Sequence, residues 1–85
     1  MKYIFVDESW EDYLYWQSTE KKIVKRINEL IKAIKRTPYE GIGKPEPLKF
    51  QLQGCWSRRI DQEHRLIYEL NENEIRIISC RFHYK

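Results

Sequence analysis

Four stretches in the second half of the chain alternate between apolar and polar side chains: Leu48–Gln53, Trp56–Asp61, Arg65–Asn71 and Glu74–Tyr84. Alternation at period two marks strands with one face in a core and the other in water. Even positions carry Leu48, Phe50, Leu52, Trp56, Ile60, Leu66, Tyr68, Leu70, Ile78, Cys80 and Phe82. Odd positions carry Lys49, Gln51, Gln53, Ser57, Arg59, Asp61, Arg65, Ser79, Arg81 and His83. Ile67, Ile75 and Ile77 interrupt the polar parity, and Arg58 and Arg76 interrupt the apolar one. A polar face shared by all four strands therefore requires that no turn or bulge resets the count. On that reading Lys49, Arg59, Arg65, Arg81 and His83 lie on one open surface, a arrangement suited to phosphate.

The first half of the chain switches period. Lys2–Val6 reads as a short strand, rich in β-branched and aromatic residues. A helix is expected from the Asp7–Ser9 region through Gln17, with Ser9 and Asp12 spaced as in a capping box and Asp7 competing as the cap. Thr19 then caps a second helix running to about Arg36, in which Ile23, Ile27, Leu30, Ile31 and Ile34 recur at three- and four-residue spacing. Thr37-Pro38 stops it, because proline disfavours helical geometry in the residue before it. Residues 39–47, with two glycines and two prolines, form a loop into the sheet. Trp10, Tyr13, Trp16, Phe50 and Trp56 are expected between helices and sheet. The order β-α-α-β-β-β-β predicts an α+β fold, both helices on one face of an antiparallel sheet.

Eighty-five residues suit a single domain, 1–85, with a modest core. No apolar run approaches the roughly 20 residues that cross a bilayer. The N-terminus turns acidic at Asp7-Glu8, too soon for a signal peptide. A cytoplasmic location without membrane attachment is the expectation, and Cys55 and Cys80 read as reduced packing residues. The net charge of +3 conceals a gradient. Residues 1–20 hold one lysine against five acids, whereas residues 21–65 hold twelve Lys and Arg against five acids. A polyanion would be drawn to the middle of the chain, although in the helix such charge also describes an ordinary solvated face.

Candidate chemistry narrows by elimination. A structural zinc site needs four ligands, commonly in close pairs, and Cys80 and His83 fall on opposite strand faces, so no metal is expected. Neither cysteine has a visible activating partner, and no glycine-rich phosphate loop or dinucleotide fingerprint occurs, so no cofactor is expected. Acid–base chemistry remains, with Glu46, Arg59, Arg65, Arg81 and His83 as its cast. RNA cleavage through its own 2′-hydroxyl needs one group to take the 2′ proton, one to protonate the departing 5′ oxygen, and cations for the phosphate. The same residues also fit a solvated loop glutamate and a surface histidine at a strand end.

The chain resembles the YoeB/Txe group of RelE-superfamily toxins, the ribosome-associated mRNA endonucleases of bacterial toxin–antitoxin pairs. The resemblance spans five ordered segments: Glu8-Ser9-Trp10-Glu11-Asp12-Tyr13-Leu14-Tyr15-Trp16, Gly43-Lys44-Pro45-Glu46-Pro47-Leu48-Lys49, Trp56-Ser57-Arg58-Arg59-Ile60, Glu63-His64-Arg65-Leu66-Ile67-Tyr68 and Cys80-Arg81-Phe82-His83-Tyr84. It implies a RelE-like, microbial-RNase-like fold and metal-independent cleavage of mRNA in the ribosomal A site, inhibiting translation. Glu46 would be the general base, Arg59 and Arg65 would stabilise the phosphate, His83 would be the general acid, and Tyr84 would shape or stack on the RNA site. Lys49, by its position beside Glu46, is a further candidate for the RNA backbone, with Arg81 beside it in the RNA-binding set. The implied partners are mRNA on the 30S decoding site and a YefM/Axe-type antitoxin, with operator DNA reached only through the antitoxin complex and a homodimer as a further option. His64 is assigned to the turn before Arg65 rather than to catalysis. A non-catalytic ribosome- or RNA-binding module and a protein-interaction scaffold are the rival readings. Expression without antitoxin separates the three: arrest with cut mRNA, arrest without cutting, or no arrest.

Overall fold

In the computed structural model, described here for residues 1–82, two helices cover one face of a five-stranded sheet. The elements are β1 (Lys2–Phe5), α1 (Asp7–Thr19), α2 (Lys21–Arg36), β2 (Glu46–Pro47), β3 (Cys55–Arg59), β4 (Arg65–Asn71) and β5 (Glu74–Ser79). Strand order across the sheet is β1-β5-β4-β3-β2. β2 through β5 pair antiparallel, but β1 pairs parallel to β5, with Lys2 opposite Glu74 and Phe5 opposite Ile77. The sheet is therefore mixed, which corrects the wholly antiparallel expectation. The reason is topological: α1 and α2 follow β1 in the sequence and separate it from the other strands along the chain, and a crossover can return a strand in parallel.

The core lies under the helices. Ile23, Ile27, Leu30, Ile31 and Ile34 of α2 and Trp16 of α1 pack on Ile60, Leu66, Tyr68, Ile75, Ile77 and Cys80. The interhelical turn is tighter than anticipated. α1 continues through Thr19, and the extended backbone of Glu20 alone separates the helices, with no side-chain cap at the start of α2. Ser9 also does not cap. It is buried inside α1, where its hydroxyl donates to the Val6 and Ile77 carbonyls at 3.0 and 2.6 Å, joining helix to sheet.

The strand expected at Leu48–Gln53 does not form: Glu46–Pro47, just before it, pairs on β3, and Phe50–Leu52 forms a 3-10 turn. β5 ends at Ser79 rather than Tyr84. The parity count also resets twice. β2 pairs with β3 so that even Glu46 opposes odd Ser57. In β4 and β5, Tyr68 opposes Ile77 while Ile67 opposes Ser79, a bulge that inserts Ile78. Odd-numbered Ile75 and Ile77 consequently join even-numbered Leu66 and Tyr68 under the helices. Ile78 packs on the opposite side with Leu48, Cys55, Ile67 and Leu52, so the outer face is partly apolar.

Candidate active site

The register builds the outer face. Glu46 lies opposite Ser57, two residues before Arg59 on β3, and Arg59 lies directly opposite Arg65 on β4. Directly opposed residues share a face with Cβ atoms about 4.5–5.5 Å apart, and diagonal neighbours stand at roughly 7–8 Å. One carboxylate and two guanidiniums are thereby grouped at one end of the open face, with Glu46 and Arg59 exposed. Like charges directly opposed across strands repel, so an arginine pair here is a site that an anion between the two would relieve. Arg65 is held from below. Its Nη1 donates to the carbonyls of Asp61, at 2.8 Å, and His64, at 3.1 Å, while the Asp61 carboxylate accepts the amides of Glu63 and His64 to form the turn.

The other candidates fare differently. Lys49 is exposed at the start of the 3-10 turn, and the register reset removes it from the parity it was assigned with Arg59. Arg81 does not join the arginine pair. Its guanidinium lies 3.5 Å over the Tyr15 ring of α1 and 4.4 Å over Phe82, because the chain leaves the sheet after Ser79. His83 and Tyr84 lie outside the described residues. Phe82, counted among the core positions, is half exposed, and Phe50 is 87% exposed on a backbone of φ +57°. Trp10 is also largely exposed, whereas Trp16 is core and Tyr13 and Trp56 pack at its edge. Among the described residues, no three His, Cys, Asp or Glu side chains converge as metal ligands.

Residues 5–84 match the model of the YoeB-like toxins of bacterial type II toxin–antitoxin systems. This chain belongs to that family. It is 62% identical to Toxin YoeB of Escherichia coli K12 over 84 residues, covering 99% of this chain and all of the relative. A YoeB/ParE toxin from Agrobacterium tumefaciens superposes with a TM-score of 0.96 at 49% identity, covering 99% of this chain and 100% of that one. The toxin chain of a heterotetrameric YoeB–YefM complex from Staphylococcus aureus superposes with a TM-score of 0.91 at 52% identity, covering 99% and 98%.

Within this YoeB-like chain, three residues carry weight that the alternation pattern did not assign. Arg58, beside Arg59 but on the other face, is fully buried. Its guanidinium donates to the Tyr68 hydroxyl and to the carbonyls of Thr37, Glu40 and Ile42, and the Tyr68 hydroxyl donates to the Pro38 carbonyl at 2.7 Å. The loop leading to Glu46 is thus stapled to β3 and β4. Gly43 completes the staple: its φ of +84° and the nearness of Leu30 and Arg58 leave no room for a Cβ, and its carbonyl accepts the Arg59 amide at 2.7 Å. Asp12 is the second, its carboxylate accepting the Cys80 amide at 2.9 Å. Burial pushes this carboxyl above its ordinary 3.8, against the opposing pull of that amide, Arg81 and His64. His64 is the third; as anticipated it sits in the turn before Arg65, buried against Trp16, and its Nδ1 accepts the Phe82 amide at 2.7 Å. A Glu-His-Arg run at a turn was the available signal for His64, and Arg58 was visible only as a break in the pattern.

The cysteines are free and buried. Cys80 lies in the helix-covered core and Cys55 in the outer cluster. Burial, aided by Asp12, pushes the Cys80 thiol up to about 12, so it stays protonated and inert as a nucleophile.

Proposed function

We propose that this chain is the toxin of a type II pair that acts as an endoribonuclease, cutting mRNA in the decoding site of the ribosome. Glu46 removes the 2′-hydroxyl proton, the 2′ oxygen attacks the adjacent phosphorus, and His83 protonates the departing 5′ oxygen. Arg59 and Arg65 take up the charge that develops on the phosphate. Tyr84 stacks on the RNA, and Lys49 and Arg81 are the weaker candidates for its backbone. The reaction leaves a 2′,3′-cyclic phosphate and a 5′-hydroxyl and calls for no metal or cofactor. The observation that carries this reading is the register that groups Glu46, Arg59 and Arg65 on the open face. The Phe82 carbonyl, one residue before His83, accepts the Arg65 amide at 3.1 Å, so the main chain reaches that same end of the sheet.

The setting follows from the family. An antitoxin of the YefM/Axe type is the partner, as YefM is for the S. aureus toxin, and the pair would reach operator DNA through the antitoxin. A homodimer is compatible with this, and the cytoplasm is the compartment where such a toxin meets ribosomes. The test is cleavage of mRNA on programmed ribosomes, read by primer extension. Glu46→Gln and His83→Gln should each slow cleavage about 10²- to 10⁴-fold while remaining folded. Wild-type cleavage by both folded variants would overturn these assignments, and ribosome binding without cleavage by the unmodified chain would leave the non-catalytic module in their place.

A further inference from the structure

Among the described residues beyond Ser79, Cys80–Phe82, the chain has no strand partner, yet its main chain is held at four points. Asp12 Oδ2 accepts the Cys80 amide at 2.9 Å, and Trp16 Nε1 donates to the Cys80 carbonyl at 2.8 Å. His64 Nδ1 accepts the Phe82 amide at 2.7 Å, and the Arg65 amide donates to the Phe82 carbonyl at 3.1 Å. Between these anchors Phe82 adopts a φ of +65°. A non-glycine residue in this region is strained by roughly 1–2 kcal/mol and persists only where its surroundings over-determine it. Here the two main-chain groups of Phe82 are gripped by consecutive residues, His64 and Arg65.

The grip is built for one tautomer. An imidazole nitrogen that accepts an amide hydrogen carries no proton, so the His64 proton sits on Nε2, which lies 3.7 Å from Glu63 Oε1. The ring meets Trp16 edge-on at 4.8 Å, and the residue's own carbonyl accepts the Ile60 amide at 3.0 Å. Charged groups near it include Glu63 and Asp61 in its own turn and Asp12 on α1.

We propose that His64 is a positioning residue: by accepting the Phe82 amide it holds the main chain of the residue that immediately precedes the proposed acid, His83. This rests on the reading above, in which His83 donates the proton to the leaving oxygen. Misplacing a reacting group by about 1 Å can cost 10²-fold in rate, so a strained hinge one residue before the acid needs an external hold. His64 does not touch RNA; it acts through Phe82.

The test exploits which nitrogen is used. Asparagine at position 64 offers an amide oxygen close to the place of Nδ1, glutamine offers one close to Nε2, and leucine offers none. With the full chain on programmed ribosomes, His64→Gln and His64→Leu should cleave roughly ten- to hundredfold more slowly at saturating ribosome, with half-saturation changed less than about threefold. His64→Asn should recover to within about threefold of wild type. Trp16→Phe, which keeps an aromatic ring but removes the donor to the Cys80 carbonyl, should lower the maximal rate in the same manner and covers the case in which a His64 variant fails to fold. Normal maximal rates in folded His64→Gln and Trp16→Phe, or an Asn variant as slow as Gln, would overturn the proposal. The two levels separate cleanly: an inactive His83→Gln beside fully active His64 and Trp16 variants removes the positioning role alone, whereas a fully active His83→Gln removes both.

Discussion

The two faces of the sheet use the same kind of residue for opposite ends. On the helix-covered face, Arg58 is fully buried, its charge spent on three carbonyls and a phenol that fasten the loop before Glu46. On the outer face, its neighbour Arg59 is exposed and stands opposite a second arginine. The inner face closes around a core of a dozen buried residues; the outer has three, Leu48, Cys55 and Ile67. The contrast teaches that stability and chemistry are divided by the pleat. A strand whose side chains alternate between faces lets one of two adjacent guanidiniums serve as a structural staple while the other stands exposed on the open face.

Three substitutions press on that division, from the largest expected effect downward. Arg58→Met removes the donor to four acceptors in a buried setting, where an unsatisfied group costs about 1–3 kcal/mol. A loss of about 3 kcal/mol or more is expected in urea unfolding, and cleavage should fall only as far as folding does. Arg59→Ala should do the reverse: stability within about 0.5 kcal/mol of wild type, and cleavage on ribosomes slower by about 10²-fold or more. Equal stability losses at the two positions would erase the distinction between the faces. The third sharpens it at the helix–tail contact. Folding raises the Asp12 pKa, so the folded chain holds this proton more tightly than the unfolded one. Its contribution is present below the ordinary value and is lost as pH rises through the raised one. Asp12→Asn keeps an oxygen for the Cys80 amide and loses no proton. Its melting midpoint should exceed wild type slightly at about pH 7 and converge with it as the buffer nears about pH 4; a gap that widens toward acid would refute this assignment.

Much of the architecture was legible because it depends on local periodicity. α2 shows its apolar stripe openly, and β4 occupies Arg65–Asn71 as the alternation indicates. What escaped depends on relations between strands. Whether even or odd residues of β2 share a face with Arg59 is decided by pairing register, which leaves no mark in the alternation; the bulge at Ile78 that turns Ile75 to the helices shows there only as Ile75 and Ile77 interrupting the polar parity. Most candidate residues were named from the parity and from what acid–base cleavage needs, and segments that resemble a family then implied their roles and added Tyr84. Their grouping was legible for Arg59 and Arg65, which share β3 and β4 in one register. It was not legible for Lys49, displaced by the 3-10 turn, or for Arg81, which follows the departing chain to Tyr15. Arg58 was unreadable for a different reason: burying a cation requires acceptors, and those come from a loop some twenty residues upstream.

The parallel pairing of β1 with β5 has a consequence for the cell that makes such a molecule. β5 fills the gap between β1 and β4, so the sheet is incomplete until residues 74–79 have been translated and have left the exit tunnel. The nascent chain can form its helices early but cannot seat its first strand, nor dock Ser9, Asp12 and Trp16 on Ile77 and Cys80. The sheet of this toxin therefore closes only once residues 74–79 are free to fill the gap between its first and fourth strands.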